Sequence, residues 1–268
     1  MTPIFHPRIK ALIMDMDGVL WRGTQPIGDL GANFDKIRSL GLKFALATNN
    51  AGYSIDQFVE KIRGLGAKIQ PEQIVTSSMA AAYLLKQRFP QGGPVYVVGQ
   101  DGLIDALAQQ EFYPSVEGAL AVVAGTDHGF TYQKLVNATV LIRKGVPFYG
   151  TNPDRSYPTP DGLLPGAGSI LAAIEAATDV KPFIAGKPYP PMMDMALERL
   201  GTTLEETLVV GDRLDTDILW AQNSGCHAAL MLSGVSTPED AQAWKPQPDL
   251  VVPELAALLE ILENESKE

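Results

Sequence analysis

The stretch Ala11-Leu-Ile-Met-Asp15-Met-Asp17-Gly18 decides how the rest of the chain is read. Its leading residues are apolar without alternation, as a strand covered on both faces requires, and they predict a strand over Ala11–Asp15. Two carboxylates stand at i and i+2. Period-two geometry places both on one side at the strand's C-terminal end, where open α/β sheets bind ligands. Gly18 lets the chain turn sharply there. Such a pair can divide labour. One carboxylate, beside a cation, becomes a nucleophile, and the other handles a proton. Taken alone, Asp-x-Asp is far more often a capped, solvated turn, so its meaning depends on the rest of the chain.

The same texture repeats outward. Lys43–Ala47, Val95–Val98, Leu120–Ala124, Pro147–Tyr149, Leu208–Gly211, Ala228–Leu232 and Leu250–Val252 are short apolar runs between amphipathic stretches. Helix signals lie between them. Ser54-Ile-Asp-Gln57 has capping-box spacing, and Gly41 can take a left-handed stop. Pro190 and Pro191 open Met192–Leu200, and Pro238 and Pro253 are read as helix openers too. Strand–helix alternation predicts an α/β fold with a mainly parallel sheet. Gln91-Gly-Gly-Pro94 and Thr151–Gly168 concentrate Gly, Pro, Asn and Asp. Residues 80–180 are therefore read as an inserted domain, with 1–79 and 181–268 forming the other. The acidic tail Glu260–Glu268 is expected to fray.

Composition narrows the function. The chain has 268 residues, 46% of them hydrophobic, enough for a real core and against a disordered chain. With 21 basic and 31 acidic residues the formal charge is −10. That field repels phosphate polymers, so nucleic acid is not an expected partner. One cysteine, Cys226, excludes an internal disulfide and a thiolate metal cluster. His6, His128 and His227 lie far apart and form no HExxH pair, which disfavours a zinc hydrolase. The apolar run near the N-terminus is too short for a signal peptide or a membrane span, so the expectation is a cytoplasmic protein with no membrane partner.

Further clusters carry chemistry. Phe44-Ala-Leu-Ala-Thr48-Asn49-Asn50 runs a strand into a hydroxyl and backbone amides that can receive an oxyanion. Ala185-Gly186-Lys187-Pro188 combines close backbone approach with an ammonium that would neutralise an anion. Leu208-Val-Val-Gly211-Asp212-Arg-Leu-Asp215-Thr216-Asp217 sets carboxylates behind a buried strand, suited to a hard cation. Each has an ordinary alternative: a hydrogen-bonded turn, a solvated loop lysine, or an acidic helix start, which is all Asp215 needs to be. No Gly-x-Ser-x-Gly, P-loop or three-glycine dinucleotide loop is present.

In their order, Asp-x-Asp-Gly, Thr-Asn, Gly-Lys-Pro and Gly-Asp-x₄-Asp closely resemble the haloacid dehalogenase-like hydrolase superfamily. The match covers both ends of the chain. The insertion resembles the C2 type of cap. Gly18-Val-Leu-Trp21, Thr48-Asn-Asn50, Thr151-Asn-Pro-Asp154 and Gly211-Asp-Arg-Leu-Asp-Thr-Asp217 resemble its NagD and 4-nitrophenylphosphatase/pyridoxal phosphatase subfamily. The resemblance implies a Rossmann-like, doubly wound parallel-sheet core with an inserted α/β cap over 80–180. It implies an Mg²⁺-dependent phosphatase acting on small phosphomonoesters, of the sugar phosphate, nucleotide, phosphoglycolate or 4-nitrophenyl phosphate type.

Carried over by position, Asp15 would be the nucleophile that forms an aspartyl-phosphate, and Asp17 the acid and base. The Asp15 side chain, the Asp17 carbonyl and Asp212 would hold Mg²⁺, with Asp217 in support. Thr48, the Asn49 amide and Lys187 would bind phosphoryl oxygens, with Asn50 beside them. Asn152, Asp154 and Tyr157 are candidates for contact with the leaving group; the same segment also reads as a connector with Asx turns. Similar pyridoxal phosphatases carry a histidine where Tyr157 stands, a departure that counts against pyridoxal phosphate. Relatives with this cap often dimerise through it, so a homodimer is an expectation. Two other functions share the same residues: a phosphotransferase or mutase using the aspartyl-phosphate, and a non-catalytic phosphometabolite-binding protein. The intact set of Asp15, Asp17, Lys187 and Asp212 argues against the last. Cys226, His227, Trp220 and Trp21 are expected to pack.

Overall fold

A computed structural model describes residues 4–5, 7–50, 52–159 and 162–265. His6, Pro160, Asp161 and the tail beyond Glu265 lie outside the described residues. The chain divides into two compact units. One holds the chain up to Ala47, Asp56–Val75 and the chain from Met193; the other holds Thr48–Ile55 and Thr76–Met192.

The first unit is built on a six-stranded sheet, in the order Leu250–Val252, His227–Met231, Thr207–Gly211, Ala11–Met14, Lys43–Thr48, Ile74–Thr76. Ala11 pairs in parallel register with Thr207 on one side and Lys43 on the other. Ala11–Met14 and Thr207–Gly211 are buried at every position, which is why neither run alternates. From Ala11–Met14 the chain moves to one side of the sheet. It later returns to Thr207–Gly211 on the other side and continues outward. That reversal of strand order opens a crevice at the carboxyl ends of the two central strands.

Local signals set the helices around this sheet. Asp29 caps Leu30–Ser39 by accepting from the Ala32 amide. The helix stops at Gly41, with φ +70, through bonds from Gly41 N to Arg38 O and from Leu42 N to Ile37 O. This is the paired bonding of a left-handed C-terminal cap. Pro238 does open Pro238–Ala243. Pro253 does not open a helix: the last one begins at Leu255, two residues later. The hairpin of Trp21–Arg22 with Gln25–Pro26 was not expected, because two-residue strands show no periodicity.

The second unit has its own five-stranded sheet. The order is Phe183–Ile184, Phe148–Gly150, Val122–Ala124, Gly93–Val98, Phe112–Pro114, with parallel pairings. Val98, Val122, Ala124 and Phe148 bury their side chains with Ala138 and Ile142 of Tyr132–Arg143 and Ile174 of Ala167–Thr178. Ser156–Thr159 and Gly162–Pro165 form an antiparallel hairpin in a segment whose proline and glycine content reads as loop. Among the described residues no helix is long and apolar enough to cross a membrane.

Candidate active site

In the first unit, strand register brings two aspartates together. Met14 lies opposite Val210, and Asp15 donates its amide to the Val210 carbonyl at 2.8 Å. Asp15 and Asp212 each follow the last residue of a central strand, so both stand at the sheet's reversal point. Asp217 arrives from a widened helical turn over Leu214–Ile218. There the amides of Asp217 and Ile218 both reach the Arg213 carbonyl, at 3.0 and 3.1 Å. Such π-type turns are frequent at functional sites. One oxygen from each of Asp15, Asp212 and Asp217 lies within 4.8 Å of the others.

The surroundings close tightly on these carboxylates. Asp212 and Asp217 are each 2% exposed. Asp212 Oδ2 accepts from the Val235 amide at 2.7 Å, and Asp217 Oδ2 from the Arg213 amide at 3.1 Å. A Cβ on Gly18 or Gly234 would overlap the Asp212 carboxylate, and one on Gly211 would overlap Asp217. Sequence reasoning overlooked Gly234 and Val235; the signal was a glycine soon after the apolar run of His227–Met231. Carboxylates this close repel one another, and burial weakens solvent screening. An all-oxygen, highly charged donor set of this kind fits a hard cation such as Mg²⁺. Asp215 stays outside the cluster, exposed and paired with the Arg213 guanidinium at 2.8 Å.

Asp17 lies on the turn beyond the strand, outside the group of Asp15, Asp212 and Asp217. The strand ends at Met14, one residue early, and the chain turns through Gly18 at φ +82. The exposed Asp17 carboxylate is held by Trp21, whose Nε1–H donates to Oδ1 at 2.6 Å. Trp21 is 0% exposed, with Lys61 Nζ 4.0 Å from its ring centroid. Burial lowers the Lys61 pKa, opposed by the Asp17 charge. Neither contact was legible beforehand.

The second unit gathers the other candidates around Asn49. Its Oδ1 accepts from the Lys187 amide at 2.9 Å, and its Nδ2 donates to the Lys187 carbonyl at 3.0 Å. Asn49 thus locks the Lys187 backbone, while the Lys187 residue is 3% exposed. Asn49 Nδ2 also donates to Asp154 Oδ2 at 3.0 Å. The Asn49 carbonyl accepts from Ser77 Oγ at 2.8 Å and Asn152 Nδ2 at 2.7 Å. Thr48 is buried, and its Oγ1 accepts from the Asn50 amide at 3.0 Å; Asn50 Oδ1 accepts from Gly52 N at 2.9 Å.

Gly186 makes the lock sterically feasible. A Cβ there would lie 2.6 Å from Asn49 Oδ1 and from the Thr151 carbonyl. Gly186→Ala is expected to destabilise the protein by about 1–3 kcal/mol, the usual range for overpacking. A thermal denaturation curve unchanged from wild type would show that the cluster gives way freely.

The cap candidates separate. Asn152, expected at the leaving group, is 3% exposed, with its amide nitrogen on Asn49 and its Oδ1 accepting from the Asp154 amide at 3.1 Å. That bond makes an Asx turn. Asp154 bonds Asn49. Tyr157 is half-buried, and its hydroxyl lies 2.9 Å from His128 Nε2; Gln100 Nε2 lies 3.1 Å from His128 Nδ1. His128 and Gln100 were not among the expected site residues. Elsewhere, Cys226 is buried, and its thiol is pushed up to about 12 by burial, so it is an inert packing group. His227 meets Phe5 edge-on and lies 3.4 Å from Asp249.

Comparison with known proteins identifies the family. A family model described as haloacid dehalogenase-like hydrolase matches residues 12–113, and one described as HAD-hydrolase-like matches residues 184–258. An acid sugar phosphatase of Staphylococcus aureus is 38% identical over 87% of this chain and 90% of its own length. The solved 4-nitrophenylphosphatase of Thermotoga maritima superimposes with a TM-score of 0.89 at 33% identity, covering 94% of this chain and 97% of that one. A glycerol phosphate phosphatase of Mycobacterium tuberculosis, solved in complex with magnesium, superimposes with a TM-score of 0.88 at 34% identity, covering 97% of this chain and 78% of that one.

Proposed function

The chain belongs to the haloacid dehalogenase-like hydrolases and is a phosphoric monoester hydrolase; from that premise we propose that it works through an aspartyl-phosphate on Asp15 and needs Mg²⁺. The observation that carries this reading is the approach of Asp15, Asp212 and Asp217 at the ends of adjacent strands. Asp15, Asp212 and the Asp17 carbonyl are the proposed Mg²⁺ ligands, with Asp217 in support. Bound Mg²⁺ supplies positive charge where an anionic nucleophile meets an anionic phosphoryl group.

The residues then divide the reaction. An Asp15 oxygen bonds to phosphorus as the ester P–O bond breaks, and Asp17 gives its proton to the leaving oxygen. Water next attacks the same phosphorus, Asp17 takes its proton, and the bond to Asp15 breaks, releasing phosphate. Thr48, the Asn49 amide and Lys187 are assigned to the phosphoryl oxygens, on the family motifs they match; Asn50 supports the Thr48 turn.

We assign the leaving-group side to Tyr157, backed by His128 and Gln100. An amide nitrogen only donates, so His128 Nδ1 accepts from Gln100 and Nε2 carries the proton. Tyr157 then accepts from His128, and its own O–H can donate to a ligand oxygen. A hydroxyl-rich leaving group suits such a donor, in keeping with relatives named for sugar and glycerol phosphates.

A phosphate-release screen with Mg²⁺ over sugar, polyol and nucleoside phosphates tests the reading, run with and without sugar acceptors. Free phosphate should dominate; dominant transfer to an acceptor would make the protein a phosphotransferase instead. Tyr157→Phe should raise KM for the best polyol or sugar phosphate about tenfold, the worth of one hydrogen bond, and leave 4-nitrophenyl phosphate little changed. Equal shifts for both substrates would remove Tyr157 from specificity.

A further inference from the structure

Trp21 is buried, and packing accounts for its ring but not for the direction of its one polar atom. The Nε1–H meets Asp17 Oδ1 at 2.6 Å. The indole is itself well held. Trp21 pairs with Pro26 in the short hairpin, and its carbonyl accepts from the Gly18 amide at 2.7 Å. Lys61 Nζ lies 4.0 Å from the ring centroid, within cation–π range. An exposed carboxylate on a turn otherwise exchanges among rotamers.

We propose that Trp21 is a positioning residue for Asp17: its N–H occupies one carboxylate oxygen and leaves the other to carry the proton exchanged in the reaction. An indole nitrogen only donates, so Oδ1 is an acceptor and the acid proton resides on Oδ2. That proton passes from Oδ2 to the leaving oxygen as its bond to phosphorus breaks. Trp21 thereby sets both the rotamer of the acid and the oxygen that acts. The inference rests on the proposed role of Asp17 as acid and base.

The effect depends on the leaving group. An alkoxide is a poor leaving group and needs the proton, whereas 4-nitrophenolate departs with little help. The quantity to measure is kcat/KM, which covers the steps through formation of the aspartyl-phosphate. Trp21→Phe drops the N–H and keeps a ring beside Lys61. Its kcat/KM should fall roughly tenfold further for an alkyl phosphate such as glycerol phosphate than for 4-nitrophenyl phosphate. Misfolded enzyme lowers both values by the same factor and leaves their ratio intact. If Trp21→Phe does not fold, β-(3-benzothienyl)alanine at position 21 keeps the indole shape without its N–H, and the same ratio is read.

Asp17→Asn, measured in parallel, should show the selective loss itself. If it does, and the position 21 variants lower both substrates equally or not at all, Trp21 only packs and this inference alone is overturned. If Asp17→Asn shows no selectivity, the acid role of Asp17 falls, and the inference with it.

Discussion

Asp15→Asn is expected to lower phosphate release from 4-nitrophenyl phosphate by on the order of 10⁴-fold or more, with the fold retained. An amide oxygen is a poor nucleophile and cannot form the aspartyl-phosphate. The substitution is isosteric and leaves the bond from the residue 15 amide to the Val210 carbonyl in place. It also removes one negative charge from the group of Asp15, Asp212 and Asp217. The Tm without metal should therefore hold or rise. Steady-state turnover and thermal denaturation of the same preparation check both halves. Undiminished turnover would sink the assignment of Asp15, and a collapsed Tm would make the loss of activity uninformative about chemistry.

Chelation should be the second large effect, with a readout that does not depend on turnover. Three carboxylates within 4.8 Å of one another, two of them buried, have to be neutralised for the folded state to reach full stability. A cation that binds only the folded protein, at a hundred times its Kd, adds about 2.7 kcal/mol. For a chain of this size that is a Tm rise of about 5–10 °C. Mg²⁺ titrated into EDTA-treated protein should produce such a rise, and phosphate release should return in parallel. Asp212→Asn should shrink the rise, because Asp212 is held in place by the Val235 amide and faces the other two carboxylates. A Tm indifferent to Mg²⁺, together with turnover that persists in chelator, would leave the cluster as a structural acidic turn.

Much of the architecture is legible in the chain because the cause is local. Ala11–Met14 and Thr207–Gly211 lack alternation since both faces of each strand are covered, and that shows in residue type alone. Gly41 stops a helix for a backbone reason, its positive φ. The segments that escaped reading are short or irregular. Two residues at Trp21–Arg22 carry no period, and Ser156–Thr159 pairs with Gly162–Pro165 despite a composition that suggests loop.

Site residues divide in the same way. Asp15 and Asp212 stand out because a carboxylate directly after an apolar strand has one place to go. The residue type of Asn152 suits both a ligand contact and an Asx turn; its bonds to Asn49 and Asp154, which form the turn, appear only in the tertiary structure. His128 beside Tyr157 and Val235 beside Asp212 join residues 29 and 23 positions apart. Lys61 over Trp21 is a contact of the same kind.

By itself, then, the sequence determined the alternation of strand and helix, the parallel sheets, and the residue types at the strand ends. These follow from burial and backbone preference, which act on neighbours along the chain. Only the tertiary structure decided which carboxylates meet, that Asp17 turns toward Trp21, and that Asn49 holds Lys187 by its backbone. Those contacts depend on strand register and on where each turn re-aims a side chain. Register pairs residues far apart in the chain, and no local pattern encodes it.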